Sequence, residues 1–133
     1  MTRAVLADSG PLFAIADETD QHHERALRQS ELLTRDRWEI LLPYPILLES
    51  YTLILFNLGG KSAAGWLSQI LSAVFISPTS EDYRRAATQV LALPDQSITL
   101  VDATVAALAG RLGLEVWTYD YHFDVMRVPV WRG

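Results

Sequence analysis

The segment that most constrains the fold of this chain is Val5-Leu6-Ala7, near the N-terminus, which stops at the carboxylate of Asp8. A short run of small and branched apolar residues is typical of a strand buried on both faces, as in a parallel sheet. Ser9-Gly10-Pro11 then turns the chain into a new apolar segment. Ligands of open α/β sheets bind beyond the carboxyl ends of the strands, so Asp8 lies where such a fold would place a site.

Strand-like and helix-like segments alternate along the rest of the chain. We predict strands at residues 3–8, 38–42, 74–76, 115–119 and 128–131, and helices at 10–16, 20–33, 46–58, around 66–71, 79–93 and 99–112. This alternation predicts an α/β fold with a mostly parallel sheet and helices on both faces. Pro129 in the last strand suits an edge of that sheet. No linker or internal repeat interrupts the sequence, which predicts a single domain over residues 1–133.

Glu49 is a second notable carboxylate, because it lies inside the apolar segment Ile46–Leu55. An unpaired buried carboxylate costs several kcal/mol or becomes neutral. An arginine partner or a water-facing position at the helix start would also explain Glu49, but a place in a cleft is favoured. Asp8 has a similar alternative, since it can cap the following helix, for which Ser9 is also a candidate N-cap.

Two further aspartates complete a candidate cluster. Asp120 ends the fourth predicted strand as Asp8 ends the first, so parallel pairing would put both carboxylates at one edge of the sheet. Asp102 lies in an apolar context, but Thr99 to Asp102 is also a capping pattern, and the two interpretations are equally supported. The similar pattern Thr79–Asp82 lacks that context and is interpreted as capping only. Four carboxylates converging in one cleft would repel each other unless a cation held them.

Other polar residues have weaker support as site residues. Asp124 follows Asp120 by four residues and shares its side if the intervening segment forms a helical turn. We interpret Asp124 first as a solvated turn residue, with a role as a metal ligand as the alternative. His22, His23 and His122 have no metal-binding spacing with one another and are interpreted as solvated surface residues.

The charge of the chain limits the kinds of partner it can bind. A net charge of −5 argues against a generally basic nucleic-acid-binding protein. The basic residues are almost all arginines, which suit bidentate contacts to phosphate. The pairs Arg25/Arg28 and Arg84/Arg85 are candidates for holding a substrate phosphate, although a solvated helix face is the better interpretation of each pair.

Composition also bears on location. The chain has no cysteine, which excludes disulfides and thiolate zinc sites and is compatible with a cytoplasmic location, which we expect. Its start lacks the pattern of a signal peptide. Residues 46–58 are the most apolar segment, but a bilayer-spanning helix needs about 20 residues. We therefore expect no membrane association.

Several enzyme classes lack the residues that they need. The chain has no Gly-x-Ser-x-Gly elbow and no glycine-rich phosphate loop. A phosphatase of the haloacid dehalogenase type would have a second aspartate two residues after Asp8, where this chain has Gly10. A receiver domain would have an acidic pair there, an aspartate in place of Ile76-Ser77-Pro78 and a late lysine, whereas Lys61 is the only lysine.

With these residues in place, the chain resembles the PIN-domain nucleases, and most closely the VapC-type toxins of bacterial toxin–antitoxin pairs. The resemblance spans nearly the whole chain and depends on the order and spacing of its motifs. These are Asp8-Ser9-Gly10-Pro11-Leu12 after a strand, Leu48-Glu49 early in a helix, Leu100-Val101-Asp102-Ala103, and Thr118-Tyr119-Asp120 followed by His122-Phe123-Asp124.

The resemblance implies a fold and a chemistry. The fold is a PIN-like three-layer sandwich with a five-stranded sheet in the order 3-2-1-4-5. The activity is endonucleolytic cleavage of single-stranded RNA with Mg²⁺ or Mn²⁺. The catalytic and metal-binding positions correspond to Asp8, Glu49, Asp102 and Asp120. Thr118 matches a hydroxyl position that orients the first aspartate. Ser9 and Asp124 are further candidates for supporting the cluster, and Asp124 matches a position that is less uniformly acidic in the family.

The resemblance also implies partners. Such proteins usually form homodimers, and the toxins bind a small antitoxin whose tail blocks the site. The exposed part of the helix at residues 46–58 is a candidate surface for one or both contacts. The alternative function is a catalytically inactive PIN-like module that binds RNA or protein. Loss of activity usually appears as missing carboxylates, and all four are present here.

Overall fold

The computed structural model describes residues 3–133 and confirms a parallel α/β architecture. Over this described range the sheet has four strands in the order β3-β2-β1-β4, and every pair is parallel. The strands are β1 (Arg3–Ala7), β2 (Trp38–Pro43), β3 (Val74–Ile76) and β4 (Glu115–Trp117). Val5, Leu6 and Ala7 of β1 are fully buried, as their apolar run predicts.

Helices connect the strands and cover the sheet. They are α1 (Ser9–Ala16), α2 (His23–Arg35), α3 (Tyr44–Leu58), α4 (Gly60–Ile70), α5 (Ser80–Ala92), α6 (Leu100–Leu112) and α7 (His122–Val125), with a short 3₁₀ turn at Pro94–Gln96. α1 packs on α2 and α3, α3 packs on α4, and α5 packs on α6. The chain moves outward from β1 to β3 and then returns to the other side of β1 as β4. Because parallel crossovers are right-handed, this reversal puts α1–α4 and α5–α6 on opposite faces of the sheet.

The predicted fifth strand is reduced to a single bridge. Val130 pairs in parallel with Val116, on the side of β4 away from β1. Two backbone hydrogen bonds make this bridge: Val116 N–H donates to the Pro129 carbonyl at 3.0 Å, and Trp131 N–H donates to the Val116 carbonyl at 2.9 Å. The position matches the predicted order 3-2-1-4-5, but Pro129 has no N–H with which to extend the ladder.

The main core lies on both faces of β1 and β4. Its buried side chains include Leu33 from α2, Ile46 from α3, Leu108 from α6 and Phe123 from α7. These contacts fix the helices relative to the carboxyl ends of β1 and β4. Within residues 3–133, no helix is both long enough and apolar enough to cross a bilayer.

Candidate active site

The ends of β1 and β4 are joined by hydrogen bonds that position Asp8 and Asp120. The Asp8 N–H donates to the Trp117 carbonyl at 3.0 Å, so Asp8 continues the pairing of the two strands. The Thr118 hydroxyl donates to Asp8 Oδ2 at 2.7 Å and accepts a hydrogen bond from the Asp120 N–H at 3.0 Å. Thr118 therefore leaves the ladder to orient both aspartates, and β4 ends at Trp117 rather than at the predicted Tyr119.

Asp8 and Ser9 do not cap the helix that follows them. α1 begins at Ser9, and the carboxylate of Asp8, at the N-cap position, makes no capping hydrogen bond. The prediction that Ser9 is an N-cap is wrong, because Ser9 is already the first residue of α1. Its hydroxyl instead donates to the carboxylate of Glu49, in the second turn of α3. This contact connects the start of α1 to α3 and aims Glu49 at the strand ends.

Asp102 reaches the same region from the first turn of α6. Thr99 caps this helix, because its hydroxyl accepts a hydrogen bond from the Asp102 N–H at 3.1 Å. The backbone of Asp102 thus serves the cap while its carboxylate faces the cleft. Capping and a site position are therefore compatible at this residue, although the sequence presented them as alternatives.

The predicted carboxylates line one cleft of about 290 Å³. Carboxylate oxygens of Asp8, Glu49 and Asp102 lie within 4.8 Å of one another. Asp102 also lies within 4.8 Å of ligand atoms of Asp120 and His122. Asp102 is therefore shared between two overlapping groups, and the structure brings all four predicted carboxylates together.

The electrostatics of the cleft favour a cation. Burial raises the pKa of Asp8 to about 6, with Glu49 and Asp120 adding to the effect and the Thr118 hydrogen bond opposing it. Burial, and then the charge of Asp8, also raise the pKa of Asp102. Asp8 Oδ1 is buried and has no hydrogen-bond partner among the residues that the structure describes. Within residues 3–133, no arginine or lysine pairs with any of the four carboxylates, so the oxygen donors fit a hard divalent cation.

Asp124 lies beside the cleft rather than in it. It lies on α7 and pairs with Arg132, whose Nη2 donates to its two carboxylate oxygens at 3.0 and 2.9 Å. Both side chains are exposed. Asp124 shares a neighbouring pocket with Asp120, which places it next to the site on the outer side.

His122 is a site residue that the sequence interpretation missed. Its side chain is only 13% exposed, and its Nδ1 lies 3.1 Å from Asp120 Oδ1, so the prediction of a solvated surface histidine is wrong. The His122 N–H also donates to Asp120 Oδ1 at 2.8 Å. Spacing among the histidines gave no sign of this, because the neighbours of His122 in space are aspartates. The available signal was its place two residues after a strand-ending aspartate.

Comparison with known proteins identifies the family. The sequence matches the model of the PIN domain over residues 5–129. The chain belongs to the PIN domain family. The predicted resemblance is thus confirmed over nearly the whole chain, while curated protein sequences give no significant match.

Solved structures share this fold. This PIN domain superposes on the Mycobacterium tuberculosis toxin VapC20, which is described as cleaving the sarcin-ricin loop. The TM-score is 0.84, with 19% identity over 97% of this chain and 99% of that chain. VapBC2 from Rickettsia felis, bound to a DNA fragment from its promoter, has a TM-score of 0.73 and 13% identity over 96% of each chain. FitAcB from Neisseria gonorrhoeae has a TM-score of 0.70 and 17% identity over 96% of each chain. The common feature is the fold.

Proposed function

We propose that this PIN domain is a divalent-metal-dependent endoribonuclease that cuts single-stranded regions of RNA. The observation that carries the proposal is the convergence of Asp8, Glu49, Asp102 and Asp120 on one cleft, where one oxygen of Asp8 is buried without a partner. Structural groups of acidic residues are normally compensated by arginine or lysine, and this one is not compensated within the described residues. Because these carboxylates would be stabilised by a bound cation, the cleft is suited to metal-dependent hydrolysis of a phosphodiester.

The same four carboxylates would hold Mg²⁺ or Mn²⁺. Carboxylate oxygens are the ligands that these hard cations prefer, and Mg²⁺ binds through few protein groups because it keeps several waters. When bound, such an ion supplies a water of lowered pKa and neutralises charge on a phosphate. Asp102 lies in both overlapping groups and is the natural shared ligand.

The protein's own residues preorganise these carboxylates. Thr118 fixes one oxygen of Asp8 and the backbone of Asp120, and the Ser9 hydroxyl fixes Glu49. Backbone N–H donation from His122 fixes Asp120 as well. Ligands held by hydrogen bonds within buried elements need little rearrangement, so the binding energy is available for placing the scissile phosphate.

We further propose that the protein is the toxin of a type II toxin–antitoxin pair and forms a homodimer. The similarity in fold to VapC20, described as a toxin, supports the toxin role. VapBC2, a complex described as bound to DNA of its own promoter, supports a partner protein of the antitoxin kind. We expect that antitoxin to be a small separate chain that covers the cleft.

Cleavage of a labelled single-stranded RNA tests the proposed activity. Purified protein should cut the RNA with Mg²⁺ or Mn²⁺ and not with chelator. Asp8→Asn should lower the rate by at least about 10²-fold, since it removes a charged ligand while keeping the acceptor for Thr118. Asp95→Asn is the matched control, because Asp95 is an exposed aspartate in the 3₁₀ turn, outside the cleft.

Two results would contradict the proposal. Full activity of Asp8→Asn would show that the cleavage does not come from this cleft. RNA binding without cleavage under every metal condition would instead favour the inactive PIN-like module.

A further inference from the structure

A second cavity, of about 630 Å³, is lined mainly by charged residues, most of them arginines. Three arginines of α2 and one from the C-terminal segment line it: Arg25, Arg28, Arg35 and Arg132. We call this cavity the arginine groove. It gathers four of the eleven basic residues of a chain whose net charge is −5. Such clustering in an acidic protein favours a local anion site over a general basic surface.

A smaller pocket of about 160 Å³ is adjacent to both the arginine groove and the carboxylate cleft. Its lining includes Arg25 and Arg132, which also line the groove. The same pocket is lined by Tyr119 and Asp120, which also line the carboxylate cleft. Phosphates of a strand that leaves the cleft past Asp120 would therefore come near Arg25.

Of the four arginines that line the groove, Arg25 and Arg28 are the two that remain available to an anion. Neither pairs with a carboxylate anywhere in residues 3–133. The guanidinium of Arg25 lies 4.5 Å from the centre of the Tyr119 ring. That ring is fixed in turn, because the Tyr119 hydroxyl donates to Gln29 Oε1 at 2.6 Å. A guanidinium held against an aromatic ring keeps its N–H groups free for a bidentate contact.

Carboxylates compensate the other two arginines of the groove. Arg132 donates to Asp124 at 3.0 and 2.9 Å, and Arg35 lies 3.2 Å from the neighbouring Asp36. Glu31 also lines the groove and opposes anion binding there. The free positive charge therefore lies at Arg25 and Arg28.

The second arginine pair of the sequence has a different environment. Arg84 and Arg85 lie 4.0 and 3.9 Å from Glu81 on their own helix. They line a separate pocket that shares no residue with the groove or the cleft. From the sequence, Arg25/Arg28 and Arg84/Arg85 were equal candidates for binding phosphate. In the structure, a carboxylate lies near Arg84 and Arg85, whereas none pairs with Arg25 or Arg28 within residues 3–133.

We propose that the arginine groove binds backbone phosphates of single-stranded RNA on one side of the scissile bond, through Arg25 and Arg28. The proposal rests on the proposed nuclease function and adds a path for the substrate. Guanidinium groups bind phosphate oxygens in a charge-assisted, bidentate way. Such contacts position a nucleic acid without reading its sequence. The groove would thus set the register of the strand relative to the carboxylates.

Binding of RNA without cleavage provides the first test. A fluorescently labelled 20-nucleotide single-stranded RNA is titrated with protein in chelator, and the anisotropy is followed at several salt concentrations. The double variant Arg25→Ala/Arg28→Ala should bind at least about tenfold more weakly, and the slope of log affinity against log salt should fall by about 1.4, or 0.7 per lost phosphate contact. The double variant Arg84→Ala/Arg85→Ala removes the same charge and should bind within about twofold of wild type.

Cleavage kinetics provide the second test. With Mg²⁺ and the same RNA, Arg25→Ala/Arg28→Ala should raise KM by at least about tenfold and change kcat little, because the arginines do not touch the carboxylates. Unchanged affinity and KM would overturn the groove proposal, as would equal losses in the Arg84/Arg85 control. The two proposals fail differently: if only the groove is wrong, Asp8→Asn still abolishes cleavage, whereas if the nuclease function is wrong, wild-type protein does not cut.

Discussion

At the scale of single residues, Asp8 is the position where burial and charge conflict most directly. It is 3% exposed, and its pKa is raised from an ordinary 3.8 to about 6, mainly because burial penalises the charged form. Between these pH values the folded protein binds more protons than the unfolded chain. The free energy of unfolding of the metal-free protein should therefore fall as pH rises from about 4 to 6, by at most about 3 kcal/mol from Asp8.

The stability of the protein should therefore depend on both pH and divalent metal. In chelator, the melting temperature should be higher at pH 5 than at pH 7.5, and Mg²⁺ should raise it at pH 7.5, where the carboxylates are charged. The raised pKa of Asp102 acts in the same direction, whereas Asp82, whose pKa is lowered to about 2, affects stability only below about pH 4. Thermal unfolding followed by circular dichroism measures both effects.

Asp8→Asn serves as the diagnostic variant for that prediction. It should stabilise the chelated protein at pH 7.5 and flatten the pH dependence, since the amide carries no charge to desolvate. Asp95→Asn should leave the pH dependence as in wild type. If the melting temperature in chelator is the same at the two pH values, the charged form of Asp8 is not destabilised by burial.

The two Thr-x-x-Asp patterns show how far residue-level prediction could go. Thr79 and Asp82 form the complete capping box that the sequence predicted, with the Thr79 N–H donating to Asp82 at 2.9 Å. Nothing in the local pattern indicates that Asp82 also pairs with Arg111, because that partner lies 29 residues away. Asp102 has the same local pattern, and its place in the cleft follows from where the fold carries α6. Local spacing predicts helix caps, whereas a partner that is distant in sequence can be identified only once the fold is known.

At the scale of elements, α5 and α6 are joined by that ion pair. Arg111 donates to the two oxygens of Asp82 at 2.9 and 2.8 Å, and Asp82 is fully buried. The hydrogen bonds to Arg111 are the main reason that the pKa of Asp82 is lowered to about 2. Because α6 also carries Asp102, the pair fixes the helix that supplies one of the site carboxylates.

We predict that Asp82→Ala destabilises the protein by about 3 kcal/mol, because it removes a helix cap and the fully buried acceptor of two charge-assisted hydrogen bonds from Arg111. Urea denaturation measures the change in the free energy of unfolding. Glu81→Ala is the matched control, since Glu81 is exposed on the same turn and its contacts to arginine are 4.0 and 3.9 Å long. If Asp82→Ala lowers the free energy of unfolding no more than Glu81→Ala does, the Asp82–Arg111 pair does not contribute to stability.

The alternation of strands and helices was predictable because apolar periodicity is a local property. The exact ends of the strands and helices were less predictable. β4 is shortened because the Thr118 hydroxyl bonds to Asp8, a contact between residues 110 positions apart. Pro129 limits the fifth strand to a single bridge. From the sequence, this proline predicted only that the strand lies at an edge of the sheet. The strand order came from the family resemblance alone, because pairing between distant strands leaves no local pattern.

At the scale of the whole molecule, α3 presents an exposed apolar surface. Leu48 is 69% exposed and Phe56 is 81% exposed. With Tyr44 and Thr52 they recur every four residues, so they share one face of the helix. Ile46, Ser50 and Ile54 are buried on the opposite face. An exposed apolar stripe of this kind on a helix is typical of a protein–protein interface, which supports the proposed homodimer.

The proposed dimer predicts a specific effect of Phe56→Glu. A charge in the middle of the stripe would have to be desolvated on association, so the dissociation constant of the dimer should rise at least about tenfold. Sedimentation velocity over a range of protein concentrations measures the shift to monomer. Leu91→Glu is the control, because Leu91 is 80% exposed on α5, a helix outside this stripe. Self-association unaffected by Phe56→Glu, or weakened as much by Leu91→Glu, would move the interface away from α3.

The same variant also separates assembly from chemistry. All four carboxylates of the cleft and both free arginines of the groove come from one chain, so no site residue in the proposal belongs to a second copy. A folded Phe56→Glu monomer should therefore retain RNA cleavage with Mg²⁺ within a few-fold of wild type. If cleavage disappears although the melting temperature is unchanged, the dimer must contribute to substrate binding, and the path of the RNA would extend beyond the groove described here.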